Sequence, residues 1–197
     1  MPRIGLERKS ARRQEIVAAA WRCAARKGFR DTTVDDVCAE ANLSKGAFYG
    51  YFKQKRELLV AVFEDDARRL DELMDELQKS VPGHRDRLRR YTQAVLARSS
   101  DAAQVQVRAD MWTAMLTEEQ VRAAFTERMQ QRRVRLRSWI EQAVSEREIV
   151  EIPTNAFASI LLSLGDGLLL HGGLDPNAFR WVNISKALDV LLDGISR

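Results

Sequence analysis

The 197-residue chain has little of what enzymes assemble into a reactive centre. It holds two cysteines, Cys23 and Cys38, and two histidines, His84 and His171. None of the four lies near another at metal-ligand spacing, so zinc chemistry and a Cys/His nucleophile pair have no framework. A Gly-x-Ser-x-Gly turn and a glycine-rich phosphate loop are also missing from the sequence, so the chain reads as a non-enzyme with no cofactor implied. The Arg-rich N-terminus has no apolar signal core. The one long apolar run, residues 156–170, is interrupted by Ser159, Ser163 and Asp166 and is read as too short for a membrane span. The expected compartment is the cytoplasm, where the two cysteines would be small buried hydrophobes.

What is present is charge, unevenly spread. Residues 1–56 carry 13 Lys and Arg against 6 Asp and Glu, whereas residues 57–197 carry 19 against 22. A basic excess confined to one end is the electrostatic footprint of a nucleic-acid partner.

Within that end, residues 32–59 read as two short helices and a tight turn. Thr33 with Asp36 has the form of a capping box, and Val34, Val37, Cys38 and Ala41 follow at helical spacing. Asn42 tolerates a left-handed helix exit, Leu43 supplies an apolar plug, and Ser44 caps a second helix through about Tyr51. Phe48 and Phe52 face the core. The outward residues Lys45, Gly46, Ala47, Tyr49, Gly50 and Tyr51 are small, aromatic or cationic, suited to close approach to a phosphate-lined groove.

The run T-T-V-x-x-V-C-x-x-A-x-L-S-K-G-A-F-Y-G-Y-F-x-x-K-x-x-L-L resembles the DNA-binding signature of the TetR/AcrR family of bacterial transcriptional regulators. The resemblance covers residues 16–59, and a looser one reaches the C-terminus. It implies an all-α protein of about nine helices, with a three-helix DNA-binding lobe over residues 1–54 and a larger effector-binding and dimerisation lobe over residues 55–197. It also implies a homodimer on a pseudo-palindromic DNA operator, released by a small hydrophobic or amphipathic effector. By resemblance Lys45, Ala47 and Tyr49 face the bases, Gly46 permits close approach, and Thr33, Ser44, Tyr51 and Lys55 meet the backbone. Gly50 departs from the common pattern, in which a larger side chain makes contact.

Ahead of the motif, residues 1–9 read as a loose arm, whose Arg3, Arg8 and Lys9, with Arg12 and Arg13, either follow a minor groove or are solvated. Residues 10–27 form a helix stopped by Gly28. From Lys55 an apolar step of three or four runs to Val81, a helix of some 25 residues or roughly 38 Å that joins the lobes without a flexible linker. Three more helices are expected over residues 85–98, 101–116 and 118–146, split by Ser99-Ser100 and by Thr117, which would cap the third. The arginines 128, 132, 133, 135 and 137 read as a solvated face.

Thr154 is expected to cap a helix ending at His171, and Asp175 with Pro176 to open the last one. The first of these is apolar nearly all round and calls for a partner helix, so Leu161, Leu164, Leu188 and Leu192 are the candidate dimer residues. Phe63, Met74, Met111, Trp112, Met115, Trp139, Phe157 and Leu168 lie on inward faces. Such residues are ordinary core, or, as the resemblance implies, the lining of an effector pocket. Asp110 and Asp166 beside them would answer a cationic ligand or nearby arginines. The competing reading keeps DNA binding but makes the body only a dimerisation or protein-docking module.

Overall fold

The computed structural model describes the backbone of residues 2–99 and 102–196 and the side chains of 5–99 and 105–196. Among them are nine helices: α1 (Pro2–Lys27), α2 (Val34–Glu40), α3 (Lys45–Tyr49), α4 (Lys55–Ser80), α5 (His84–Ser99), α6 (Ala102–Thr117), α7 (Glu119–Ser145), α8 (Thr154–Leu174) and α9 (Trp181–Gly194). The chain packs as two compact units, residues 1–68 with 106–125, and residues 69–105 with 126–197. The division falls inside α4, so the sequence-derived boundary at 54/55 lies within the first unit.

The first unit closes over Ile16, Ala20, Phe48, Phe52, Leu58 and Val62, all nearly inaccessible to solvent. Helix α1 does not wait for Ser10: it begins at Pro2, so residues 2–9 are helical rather than a loose arm. The side chain of Arg3 and the expected break and helix start at Ser100 and Asp101 lie outside the described residues. Gly28 ends α1 with φ +83°, its N–H on the Ala24 carbonyl at 2.7 Å. Both thiols are buried and free, and burial pushes each up from its ordinary value.

In the second unit Met74, Leu88, Leu136, Ile140 and Ile149 form the core, and α5 packs on both α8 and α9. Gly165 permits the α5–α8 approach, since a Cβ there would lie 2.3 Å from Val95 Cγ1. The α4–α5 turn is built around the buried Arg87, which donates to the carbonyls of Val81 (2.5 Å) and Pro82 (3.0 Å) and to His84 Nδ1 (2.9 Å).

Several helix ends differ from the sequence reading. Thr117 is the last residue of α6 and donates to its own helix at Thr113, so it caps nothing in α7. Helix α8 begins at Thr154 with Pro153 at the N-cap and no side-chain cap, and it runs on through Gly172 and Gly173. Once the helix is formed, those glycines pack: Gly172 abuts Trp181 and Phe179, and Gly173 abuts Val105. Asp175 therefore closes α8 instead of opening α9, which starts six residues later.

At 21 residues α8 is long and apolar enough to cross a membrane, contrary to the sequence estimate, although a third of that window is buried inside the unit. The arginine face of α7 is only partly solvated. Arg132 is buried and meets Asp71 at 3.3 Å, and Arg135 meets Asp75 at 2.5 Å, because α4 presents a matching acidic row.

Candidate nucleic-acid interface

The first unit presents α3 outward by a chain of local bonds. Thr33 caps α2, its Oγ1 accepting the Asp36 N–H at 3.1 Å while Asp36 Oδ2 accepts the Thr33 N–H at 2.6 Å. Lys27 at the end of α1 donates to the same carboxylate at 2.7 Å. The Lys27 ammonium, and next the Thr33 hydroxyl, hold the Asp36 carboxyl well below the usual range. Asn42 takes the left-handed conformation with φ 49°, and the Leu43 N–H returns to the Cys38 carbonyl at 2.9 Å. Ser44 Oγ then accepts from Ala47 N–H at 3.2 Å and opens α3. This helix ends at Tyr49, two residues sooner than expected, with Gly50 as its C-cap.

Phe48, fully buried and edge-on to Tyr49, anchors α3, and Phe52 is buried beside it. With Phe48 fixed inward, Lys45, Gly46, Ala47 and Tyr49 around it are exposed, Tyr49 to 52%. Lys45 carries an ion pair with Asp35 of α2 at 2.8 Å, which raises its pKa. Thr33 and Ser44 are spent on caps, and Tyr51 is half-buried against the core.

Lys55, expected at the DNA backbone, is already partly held by its own unit. Its ammonium donates to the Arg30 carbonyl at 2.7 Å, lies 5.3 Å from the centre of the Phe29 ring, and is pushed down in pKa by burial. Arg12 and Arg13 are likewise engaged: Arg12 donates to the carbonyls of Ala41 (3.0 Å) and Asn42 (3.1 Å), closing the end of α2, and Arg13 stands over Phe52. Lys53 is exposed at the exit of the motif. Asp110, read from the sequence as answering a cationic ligand or nearby arginines, has backbone partners instead. It is no ligand group; Oδ2 accepts the N–H groups of Phe29 (2.6 Å) and Arg30 (3.2 Å) and ties α6 to the turn before α2. A separation of some 80 residues gave no local signal for that bond.

The eight candidate pocket residues are not brought together within either unit. Phe63, Met111 and Met115 are buried in the first core with Trp112 packed against it; Met74 and Trp139 are buried in the second with Phe157 beside them; Leu168 lines an outer groove on α8. Trp112 and Phe63 each pack on Phe125, at 5.6 and 5.3 Å between ring centres. Trp139 donates to Gln78 at 2.5 Å and meets Tyr91, whose phenol burial pushes up to about 12.

Of the four candidate dimer residues, Leu161, Leu188 and Leu192 are buried within the second unit, and only Leu164 reaches the groove. The outer surface of each helix lies one step round from the buried leucines. Ile160, Leu164, Gly167 and His171 form the outer stripe of α8, with His171 stacked on Phe179, and Val182, Val190 and Leu191 are exposed on α9.

Residues 16–62 match the model of the tetR family of bacterial regulatory proteins, and residues 84–196 match the C-terminal model of BetI-type transcriptional repressors. The regulator BetI of Escherichia coli is 28% identical over 90% of this chain and 89% of its own. The uncharacterized regulator YfiR of Bacillus subtilis is 38% identical over 41% of this chain, an alignment that spans only 38% of YfiR.

Among solved structures, a putative regulator from Saccharomonospora viridis in complex with choline has a TM-score of 0.80 at 19% identity, covering 95% of this chain and 99% of its own. FadR of Bacillus subtilis in complex with stearoyl-CoA has 0.74 at 18%, covering 91% and 96%. With a capped helix-turn-helix at one end and a family match over most of the chain, the protein belongs to the TetR family of DNA-binding bacterial transcriptional regulators.

Proposed function

We propose that this chain is a cytoplasmic homodimeric repressor that binds a pseudo-palindromic operator through α3 and is released by a small, mostly apolar effector. The observation that carries the reading is the outward face of α3, where Lys45, Gly46, Ala47 and Tyr49 stand clear of a core pinned by Phe48. A lysine and a phenol on a helix with little side-chain bulk around them suit base edges and phosphates in a major groove.

The dimer follows from α8. Its outer stripe exposes Ile160 to 58%, and α9 exposes Leu191 to 68%. A two-fold axis lets one such patch cover its own copy. Residues 1–54 would then serve DNA, and residues 55–197 dimerisation and the effector. Relatives of the same fold are seen with choline and with stearoyl-CoA. What carries over is a body that takes an organic ligand, and the Met, Trp and Phe content here supports a mostly apolar one.

A second reading, in which the body only dimerises or docks a protein, is favoured by the tight packing of Phe63, Met111 and Met115. Titrating apolar and amphipathic compounds by tryptophan fluorescence, with and without operator, separates the two. Linkage requires an effector worth about 1–3 kcal/mol of coupling to bind some 5- to 150-fold more weakly when DNA is present. A compound that binds the body equally in both states would remove the effector from the account, and failure of every compound to bind would favour the docking module.

A further inference from the structure

Beside the reading helices, and wholly inside the first unit, lies a cleft of about 360 Å³. It is bounded by Phe29 and Arg30 of the turn after α1, by Lys55, Arg56 and Leu59 at the start of α4, by Asp110 and Thr113 on α6, and by Glu118 just after it. The volume is that of a small-molecule site rather than of a water pocket. Its wall is built for a mixed ligand: Phe29, Leu59 and Ala114 offer apolar and aromatic surface, and three cations stand over it.

The anions are already committed. Asp110 accepts two backbone N–H groups, and Glu118 pairs with Arg56. Lys55 spends one of its three N–H donors on the Arg30 carbonyl and keeps two, at a half-buried position. The Arg30 side chain is exposed at the rim.

We propose that this cleft binds a small carboxylate with a short aromatic or apolar tail, the tail against Phe29 and Leu59 and the carboxylate on Lys55 and Arg30. Such a ligand is distinct from any effector of the helical body. Because it cancels positive charge in the unit that meets DNA, and inserts between the turn and α4 where the Lys55–Arg30 bond now lies, its occupancy lowers operator affinity. By linkage, DNA lowers the ligand's affinity by the same factor.

The test uses the protein with phenylacetate as the probe, phenylacetamide as its neutral counterpart and acetate as the control that lacks the ring. Amide chemical shifts of Phe29, Arg30 and Thr113 should move with phenylacetate; the amide should bind at least roughly tenfold more weakly for want of the charge-assisted contact to Lys55 and Arg30, and acetate roughly tenfold more weakly for want of a ring to bury against Phe29 and Leu59.

Thr113 is exposed on the α6 wall of the cleft, so Thr113→Phe should fill the cleft and abolish the shifts. Thr117→Glu, which adds a repelling charge at the rim without filling it, should weaken phenylacetate and spare phenylacetamide. Equal affinity for acid and amide, shifts confined to other residues, or unchanged phenylacetate binding by Thr117→Glu would each overturn the proposal. Because binding is read without operator or body effector, these outcomes are separable from failure of the repressor reading.

Discussion

Single residues in the reading unit do two jobs, and the charged ones show it best. Asp35 faces Lys45 across 2.8 Å, so the lysine that resemblance assigns to bases is held by its own protein until DNA competes for it. Asp35→Asn should therefore raise affinity for specific and random duplexes alike, because it frees a cation and removes a repelling carboxylate. Tyr49→Ala should instead cost about 1–3 kcal/mol on the preferred sequence only, the loss of one base contact. Anisotropy titrations on selected and scrambled duplexes check both, and a Tyr49→Ala protein that discriminated like the parent would remove Tyr49 from the readout.

Asp36 is one group that ties stability to pH. Its carboxyl is held down by Lys27 and then Thr33, so folding favours the charged form. That stabilisation is complete above the ordinary aspartate value of 3.8 and drains away as pH falls below it. The gap in urea midpoint between parent and Asp36→Asn should thus be widest near neutrality and narrow below about pH 4. A gap that stays constant would mean the capping box contributes nothing through charge.

At the scale of elements, what the sequence made legible was whatever depends on near neighbours. The Thr33–Asp36 box, the left-handed Asn42, the Ser44 cap, the Gly28 stop and the burial of Phe48 and Phe52 all follow from residue types within four positions of each other. Contacts between distant segments were not legible. Periodicity says that α8 and α9 are apolar on more than one side but not which side α5 will take; α5 packs on both, and Leu161, Leu188 and Leu192 are buried. The partners of Lys55 and Asp110 were illegible for the same reason, lying 25 and some 80 residues away. The glycine pair at the end of α8 looked like a stop because backbone freedom and close packing have the same sequence signature.

Gly165 is the clearest instance of packing. With Val95 Cγ1 2.3 Å from the position of an added Cβ, and Ser99 donating to the Gly165 carbonyl at 3.1 Å, neither helix has room to yield. Gly165→Ala should destabilise the protein by about 1–3 kcal/mol as overpacking, even though alanine is the better helix former. Chemical denaturation measures this, and a stabilised variant would show that α5 and α8 sit further apart.

At the scale of the molecule, the swap of buried for exposed leucines changes what a dimer test should target. Leu191→Glu places a charge on the exposed face of α9 and should yield a folded monomer with weak DNA binding. Leu188→Glu buries that charge and should instead lose the fold. Sizing together with circular dichroism distinguishes them, and a Leu191→Glu protein that stayed dimeric would move the interface elsewhere. A dimer also doubles the phosphate contacts, so the log-log slope of affinity with salt should be roughly −5 to −8, for about 6 to 9 neutralised phosphates.

The most direct measurement of the central claim, that two copies of this chain read DNA through α3, is selection of bound duplexes from a random pool. The expected result is enrichment of a two-fold pseudo-palindrome whose half-sites lie about 10 base pairs, or a multiple of that turn, from centre to centre, lost with Tyr49→Ala. Recovery of a lone half-site, or of no preferred sequence at all, would contradict it.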